Sequence, residues 1–368
     1  MKAKLNIICA VTNDLIQDQR MDRICRSLME MDYKVSLWGR KKPGSLSLQD
    51  KAYRQRRFAV FFHKGPAFYL EYNIRFCLAA ISARPHIIYA VDTDTLPGAW
   101  LASRITGAKL VFDAHEYFTE VPELQHSPFK RKIWTLVERF TIPAAHVHVT
   151  VSNSLANIFA ERYGRKFHVI RNVPEKSSKT QVAKIYDKPY ILYQGVLNEG
   201  RGLEAIIEAM ALLPDIELRI VGWGDIGNAL QEQAKKSIAA KRIHFMGWLT
   251  PPELQQVTAG AVLGLNILDG KSKSYQYSLA NKFFDYMHAG IPSLNMDFPE
   301  YRYIIDQFLV GFLVNTLDPE SLAQYISEII VDEAQLQVMR TVCEEASQVF
   351  CWEQESLILK ELFQSFIQ

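Results

Sequence analysis

What most restricts the fold of this chain is a rhythm: short apolar runs alternate with amphipathic segments, and the apolar runs end in polar or glycine-rich turns. Strands that rejoin one sheet through a helix must run parallel, so the rhythm specifies βαβ units and an α/β fold with helices covering a parallel sheet. Residues 5–11, 34–39, 86–91, 109–112, 146–151 and 167–170 read as strands of a first series. Residues 17–31, with Met21, Ile24, Cys25 and Leu28 at helical spacing, read as its first helix, and residues 96–106 and 152–163 as later ones. A second series has strands at 190–194, 216–221, 243–246 and 262–267 and closes with helices over 317–330 and 333–349. Between the two, EKSSKTQVAKIYDK (175–188) is polar and rich in lysine and serine, as interdomain linkers are. At 368 residues the chain also exceeds what one hydrophobic core serves, so two domains are expected.

Lysine and arginine number 42 against 40 acids, a net charge of +2, which argues against a whole-surface nucleic-acid binder. Cys9, Cys25, Cys77, Cys343 and Cys351 form an odd set with no CxxC pair. That fits a reducing, cytoplasmic setting better than a disulfide framework or a zinc site. No run approaches about 18 uninterrupted apolar residues, so no membrane span is expected. The opening MKAKLNIICAV is broken by Thr12, Asn13 and Asp14 and reads as a first strand rather than a signal segment. The turn over 12–18 lacks GxGxxG, which disfavours a nicotinamide cofactor. From Lys51 to Lys64, cations (Arg54, Arg56, Arg57, His63) interleave with Phe58, Phe61 and Phe62, and 67–81 is largely apolar. A basic strand followed by a core helix explains this pattern, and so does a surface resting peripherally on an anionic membrane.

Ligands of open parallel sheets bind beyond the carboxyl ends of strands, where Asp92 and Asp94, and then His115 and Glu116, fall here. Helix caps or loop hydrogen bonds would use the same residues. His146 and His148 share a strand face, but no third metal ligand accompanies them. In the second series a loop with three glycines and Arg201 (195–202) precedes a helix over 203–213, and Gly222 and Gly224 flank Trp223 in a later turn. The stretch SLANKFFDYMHAGIP (278–292) reads as a helix of about three turns, capped by Ser278 or Asn281 and ended by Gly290 and Pro292. Phe283, Met287 and Ile291 face its core side, and Lys282 and Asp285 another. Glycines admit a phosphate to backbone amides, cations neutralise it, and a carboxylate suits ribose hydroxyls. An ordinary capped helix with a surface charge pair would look the same in isolation.

In series, these blocks resemble the GT-B-fold glycosyltransferases, in particular glycosyltransferase family 4, over nearly the whole chain. ILYQGVLNEGRGLEAIIEAM, LRIVGWGD, IHFMGWLTPPEL and NKFFDYMHAGIPSL match the family's later blocks in order and spacing. VTNDLIQDQRMDRICRSLMEMDYKVSLWGR, IIYAVDTDTLPGAWLASRITGAKLVFDAHEYFTE and VTVSNSLA are similar to the acceptor-side domain of polysaccharide-type members. WEQESLILKELFQSF looks like the terminal helix that crosses back to the first domain.

The resemblance implies two Rossmann-like domains facing each other across a cleft: 1–174 with a terminal helix at about 351–368, and 175–350. It implies retaining transfer of a sugar from a nucleotide-diphosphate donor to a saccharide or lipid-linked acceptor, commonly in cell-surface polysaccharide assembly, with neither metal nor other cofactor. Carried over by position, Arg201 takes the loop lysine's place on the diphosphate, and Asp285 the place of the second acid of E-x7-E, on the ribose. Leu249 falls beside the base, and His115 corresponds to the cleft histidine near the reacting carbon. Catalysis is thereby assigned to His115, Arg201 and Lys282. Gly195, Gly222 and Asn281 join Leu249 and Asp285 as donor contacts, and Asp14, Asp92, Asp94 and Glu116 lie on the acceptor side. Two positions depart from the pattern: Val196 stands where the family has an arginine, and Tyr277 where it has the first acid of E-x7-E. A sugar-nucleotide epimerase or a non-catalytic nucleotide-sugar-binding protein would share the fold.

Overall fold

The structure is a computed structural model and describes residues 4–16, 18–176, 188–364 and 366. Most of the expected linker, 177–187, lies outside the described residues. Two compact units emerge: residues 1–172 with 355–368, and residues 173–354.

The first unit holds strands β1 (Asn6–Ala10), β2 (Lys34–Lys41), β3 (Arg54–Ala59), β4 (Ile87–Val91), β5 (Lys109–Ala114), β6 (Val147–Thr150) and β7 (His168–Val169). Its helices are α1 (Gln19–Glu30), α2 (Gly65–Ala83), α3 (Asp92–Thr106), α4 (Pro122–Gln125), α5 (Pro128–Thr141) and α6 (Asn153–Tyr163). The strands pair in the order β3-β2-β1-β4-β5-β6-β7, all parallel. β4 is fully buried, as a central parallel strand must be when helices cover both faces. Right-handed crossovers put α1 on one face and α2, α3, α5 and α6 on the other, because the connections up to β3 step along the sheet opposite to those after it.

The second unit carries β8 (Tyr190–Gln194), β9 (Glu217–Val221), β10 (Ile243–Gly247), β11 (Leu263–Asn266), β12 (Ser293–Met296) and β13 (Gly311–Val314), ordered β10-β9-β8-β11-β12-β13. Around it lie α7 (Leu203–Ala209), α8 (Gly227–Lys236), α9 (Pro251–Ala259), α10 (Lys273–Gln276), α11 (Asn281–His288), α12 (Pro299–Ile305), α13 (Pro319–Val331) and α14 (Glu333–Val349). One core spans this unit, from Ile191 and Leu218 on the strands to Phe283, Met287 and Ile326 on the helices. The last helix, α15 (Trp352–Gln364), delivers Phe363 to the first unit, where its ring packs on Tyr33 and Tyr89 and its carbonyl accepts from the Tyr33 hydroxyl at 2.8 Å.

Helix α11 is shorter than its sequence suggests. It has eight residues, and Ala280 caps it with no side-chain bond. Ser278 is occupied elsewhere, its hydroxyl donating to the Tyr275 carbonyl at 2.8 Å. Gly290 adopts the expected left-handed conformation just beyond the helix end. Phe283, Met287 and Ile291 are buried.

Candidate functional site

In each sheet the strand order reverses at one place, between β1 and β4 and between β8 and β11. Such switch points open a crevice at the carboxyl ends of the strands. The candidate residues of each unit gather at its own switch point.

In the second unit, β8 runs into the glycine loop. Gly195 (φ +135°) and Gly222 (φ +139°) both occupy backbone conformations closed to other residues, and a Cβ on Gly222 would overlap the Gly195 carbonyl oxygen. A Cβ on Gly195 would stand 3.5 Å from Lys282 Nζ, so the bare glycine backbone faces that ammonium. Tyr286, one turn after Lys282, fixes α11 on the sheet. Its hydroxyl donates to the Leu192 carbonyl at 3.0 Å and accepts from Gln194 N–H at 3.2 Å, while its ring packs over Gly264. Asp285 accepts from Gln194 Nε2 at 3.1 Å, and Gln194 in turn accepts from Thr258 at 2.8 Å.

Lys282 is 8% exposed, its Nζ lies 3.6 Å from the centre of the Tyr193 ring, and that nitrogen has no hydrogen-bond partner among the described residues. Burial, and then the charge of Arg201, push the ammonium well below its usual pKa, with only partial relief from Asp285. Arg201 rests on the Tyr275 ring, 4.8 Å from its centroid, and its buried Nε also lacks a partner. Two cations side by side without a bonded anion make a receptor for one. Leu249 packs half-buried against the apolar cluster that includes Tyr190, Leu192 and Val257, whereas Trp223 and Trp248 are exposed. Asn281 is exposed at the start of α11, and Val196 is exposed on the glycine loop.

In the first unit, Thr12, Asn13, Asp18, Asp92, Asp94, His115 and Glu116 line a cavity of about 300 Å³. Asp14 stays off its wall and accepts from Ser45 at 3.2 Å. Beside the cavity lies a network the sequence reading did not anticipate. Arg20, 3% exposed, donates to both oxygens of the fully buried Asp113 (3.0 and 3.1 Å) and to the Ile170 carbonyl (2.9 Å). Tyr89 donates to Asp113 at 2.8 Å, and His115 Nε2 lies 2.9 Å from the same carboxylate. Burial opposes charge on Asp113, but Arg20 and then His115 hold it well below the usual carboxylate range. Burial would also lower the imidazole, yet Asp113 and Asp92 outweigh it and leave His115 raised. Asp92 takes a left-handed backbone conformation (φ +58°) and accepts the His115 amide at 2.8 Å. Asp94, bonded by the Thr12 hydroxyl at 2.6 Å, is pushed up to about 7 by burial and the neighbouring Asp92 charge. His146 and His148 are engaged with backbone at Leu110 and Ile142.

Two parallel sheets of seven and six strands, each with a switch-point site, define two Rossmann-like units. Models of known families agree: glycosyltransferase family 4 matches residues 18–173 and glycosyl transferases group 1 matches residues 188–332. The chain belongs to these GT-B-fold glycosyltransferases. Chitobiosyldiphosphodolichol beta-mannosyltransferase of Candida albicans is 20% identical over 274 residues, 63% of this chain and 57% of its own length. The chain thus spans a little over half of that curated relative. The fold is shared with sucrose-phosphate synthase of Thermosynechococcus elongatus (TM-score 0.78, 17% identity, 99% of both chains). It is shared equally with Anabaena Alr3699/HepE, solved with UDP and glucose (TM-score 0.78, 17% identity, 98% of this chain and 100% of that one).

Proposed function

We propose that the protein is a retaining, metal-independent glycosyltransferase that moves a sugar from a nucleotide-diphosphate donor to a saccharide or lipid-linked acceptor in cell-surface polysaccharide assembly. The observation that carries this reading is the buried Lys282 ammonium beside Arg201, without a hydrogen-bond partner among the described residues and facing the bare backbone of Gly195. A diphosphate supplies the charge this arrangement lacks, and the start of α11 at Asn281 adds amides. Asp285, held by Gln194, takes the ribose hydroxyls, with Leu249 on the base side. The Anabaena relative's UDP and glucose and the Candida relative's dolichol-linked acceptor support the substrate classes. The units 1–174 with the terminal helix and 175–350 act as acceptor-side and donor domains. Five buried thiols suit a cytoplasmic site on the inner membrane face. Among the described residues no helix is long and apolar enough to cross a membrane.

In the reaction the bond from the anomeric carbon to the diphosphate oxygen breaks and its electron pair leaves with the diphosphate. The acceptor oxygen bonds that carbon from the same face, and its proton passes to the departing phosphate oxygen. Arg201 and Lys282 stabilise the growing charge in a site depleted of water. His115, whose imidazole Asp113 and Asp92 hold above its usual pKa, hydrogen-bonds the donor, while Asp14, Asp92, Asp94 and Glu116 stand on the acceptor side. Thermal shift against a panel of nucleotide sugars identifies the donor, since a ligand stabilises the fold in proportion to the logarithm of its concentration over Kd. With that donor, Arg201→Ala should lower turnover by about two orders of magnitude; wild-type turnover in that variant would refute the assignment. Chelator should leave the rate unchanged, and the anomeric proton signal of the product should match the donor's configuration.

A further inference from the structure

Helices α2, α3 and α5 form one layer on the first sheet. Gly98 of α3 meets Asn73 of α2, its N–H donating to the Asn73 side chain at 2.7 Å. Trp134 of α5 stacks edge-on against Tyr69 of α2, and Thr93 of α3 donates to Glu138 of α5 at 3.1 Å. Helix α5 is amphipathic with its faces reversed. The polar residues Glu138 and Thr141 are buried, at 2% and 5% exposure. The apolar stripe Phe129, Ile133, Leu136 and Phe140, spaced at helical intervals, faces solvent at 75%, 47%, 55% and 66%. On α2, Leu70, Ile74 and Leu78 repeat every fourth residue and are at least half exposed. A soluble surface seldom leaves such a patch bare.

Charge identifies what covers it. Lys130, Lys132 and Arg139 surround the α5 stripe and are exposed, as is Arg131, which pairs with Glu120, whereas Glu138 of the helix is sequestered among Thr93, Thr119 and Tyr163. An apolar stripe bordered by cations is the signature of a helix lying in the headgroup region of an anionic bilayer. A second copy of this chain would set the same cations against themselves across a two-fold interface. By contrast, the front of the basic segment 51–64 is committed within the unit. Lys51 pairs with Asp22 at 3.0 Å, Arg56 covers Trp38 and Phe58, and Arg57 donates to the Leu46 carbonyl. Its far end, with Phe61 82% exposed, leads directly into α2.

We infer that this α2–α3–α5 face docks on an anionic lipid surface, with the α5 stripe buried in the headgroup layer; the inference deepens the lipid-linked-acceptor reading and rests on it. Flotation of the full chain with phosphatidylcholine vesicles, with and without phosphatidylglycerol, tests it. Binding should require phosphatidylglycerol and weaken with salt. Phe129→Asp with Phe140→Asp, and separately Lys130→Glu with Lys132→Glu, should each reduce partitioning roughly tenfold, while Arg57→Glu should leave it within twofold. Unchanged melting temperature and nucleotide-sugar affinity in these variants distinguish a failed docking surface from a failed donor assignment. Equal binding to neutral vesicles, insensitivity to both α5 variants, or a dimer dissolved by Phe129→Asp would overturn the inference.

Discussion

The two switch-point sites handle buried charge in opposite ways. In the first unit Arg20 and Asp113, both nearly inaccessible, satisfy each other through a two-pronged pair with Tyr89 and His115 completing it. In the second unit the Lys282 Nζ and the Arg201 Nε have no hydrogen-bond partner among the described residues. The first arrangement is finished by folding, and its role is to position His115. The second is left open by folding, which itself bears the cost of burying groups without partners.

That contrast breaks most visibly at Arg20. Arg20→Met strands the Asp113 carboxylate and should cost about 3–5 kcal/mol of unfolding free energy, measured by urea titration; Arg20→Met with Asp113→Leu should recover much of it. A loss below about 1 kcal/mol in the single variant would mean that the pair is not what holds the site. The next effect concerns Asp94. Its folded pKa lies near 7, above the unfolded value, so the folded state retains the proton longer and stability declines as pH rises from about 4 to 7. Asp94→Asn should remove that slope and gain on the order of 2 kcal/mol relative to wild type at pH 8, read from melting curves across pH. A parallel pH profile would contradict the assignment.

In the second unit the sign reverses. Lys282→Met should stabilise the ligand-free protein by about 1–2 kcal/mol while weakening donor binding, a combination that removing a merely structural lysine would not give. The smallest effect is protonic. Because Lys282 sits below its ordinary pKa without ligand, a bound diphosphate should draw a proton onto it, so affinity should fall as pH rises. Calorimetry in two buffers of different ionisation enthalpy should register that uptake.

The strand–helix rhythm was legible because parallel strands buried on both faces read as apolar runs, β4 being the clearest case. The glycine loop and helix α11 could be read because they are local motifs. Arg20 could not, since a charged residue on an amphipathic helix normally reads as solvent-facing. The signal was there in its register with Ile24 and Leu28, four and eight residues on, which places a cation on the buried stripe. Gln194 and Tyr286 look like strand and core residues, and only the fold shows that they fix Asp285 and Lys282. Periodicity locates a stripe but not its direction, which is why α5 carries its apolar face outward unannounced.

The contact of Gly222 with the Gly195 carbonyl welds two neighbouring turns into a single rim, with no side chain between them to trim or enlarge. Substitution therefore has little room at those positions. Variation there would disturb both turns together, whereas the outward indoles of Trp223 and Trp248 can be exchanged one at a time.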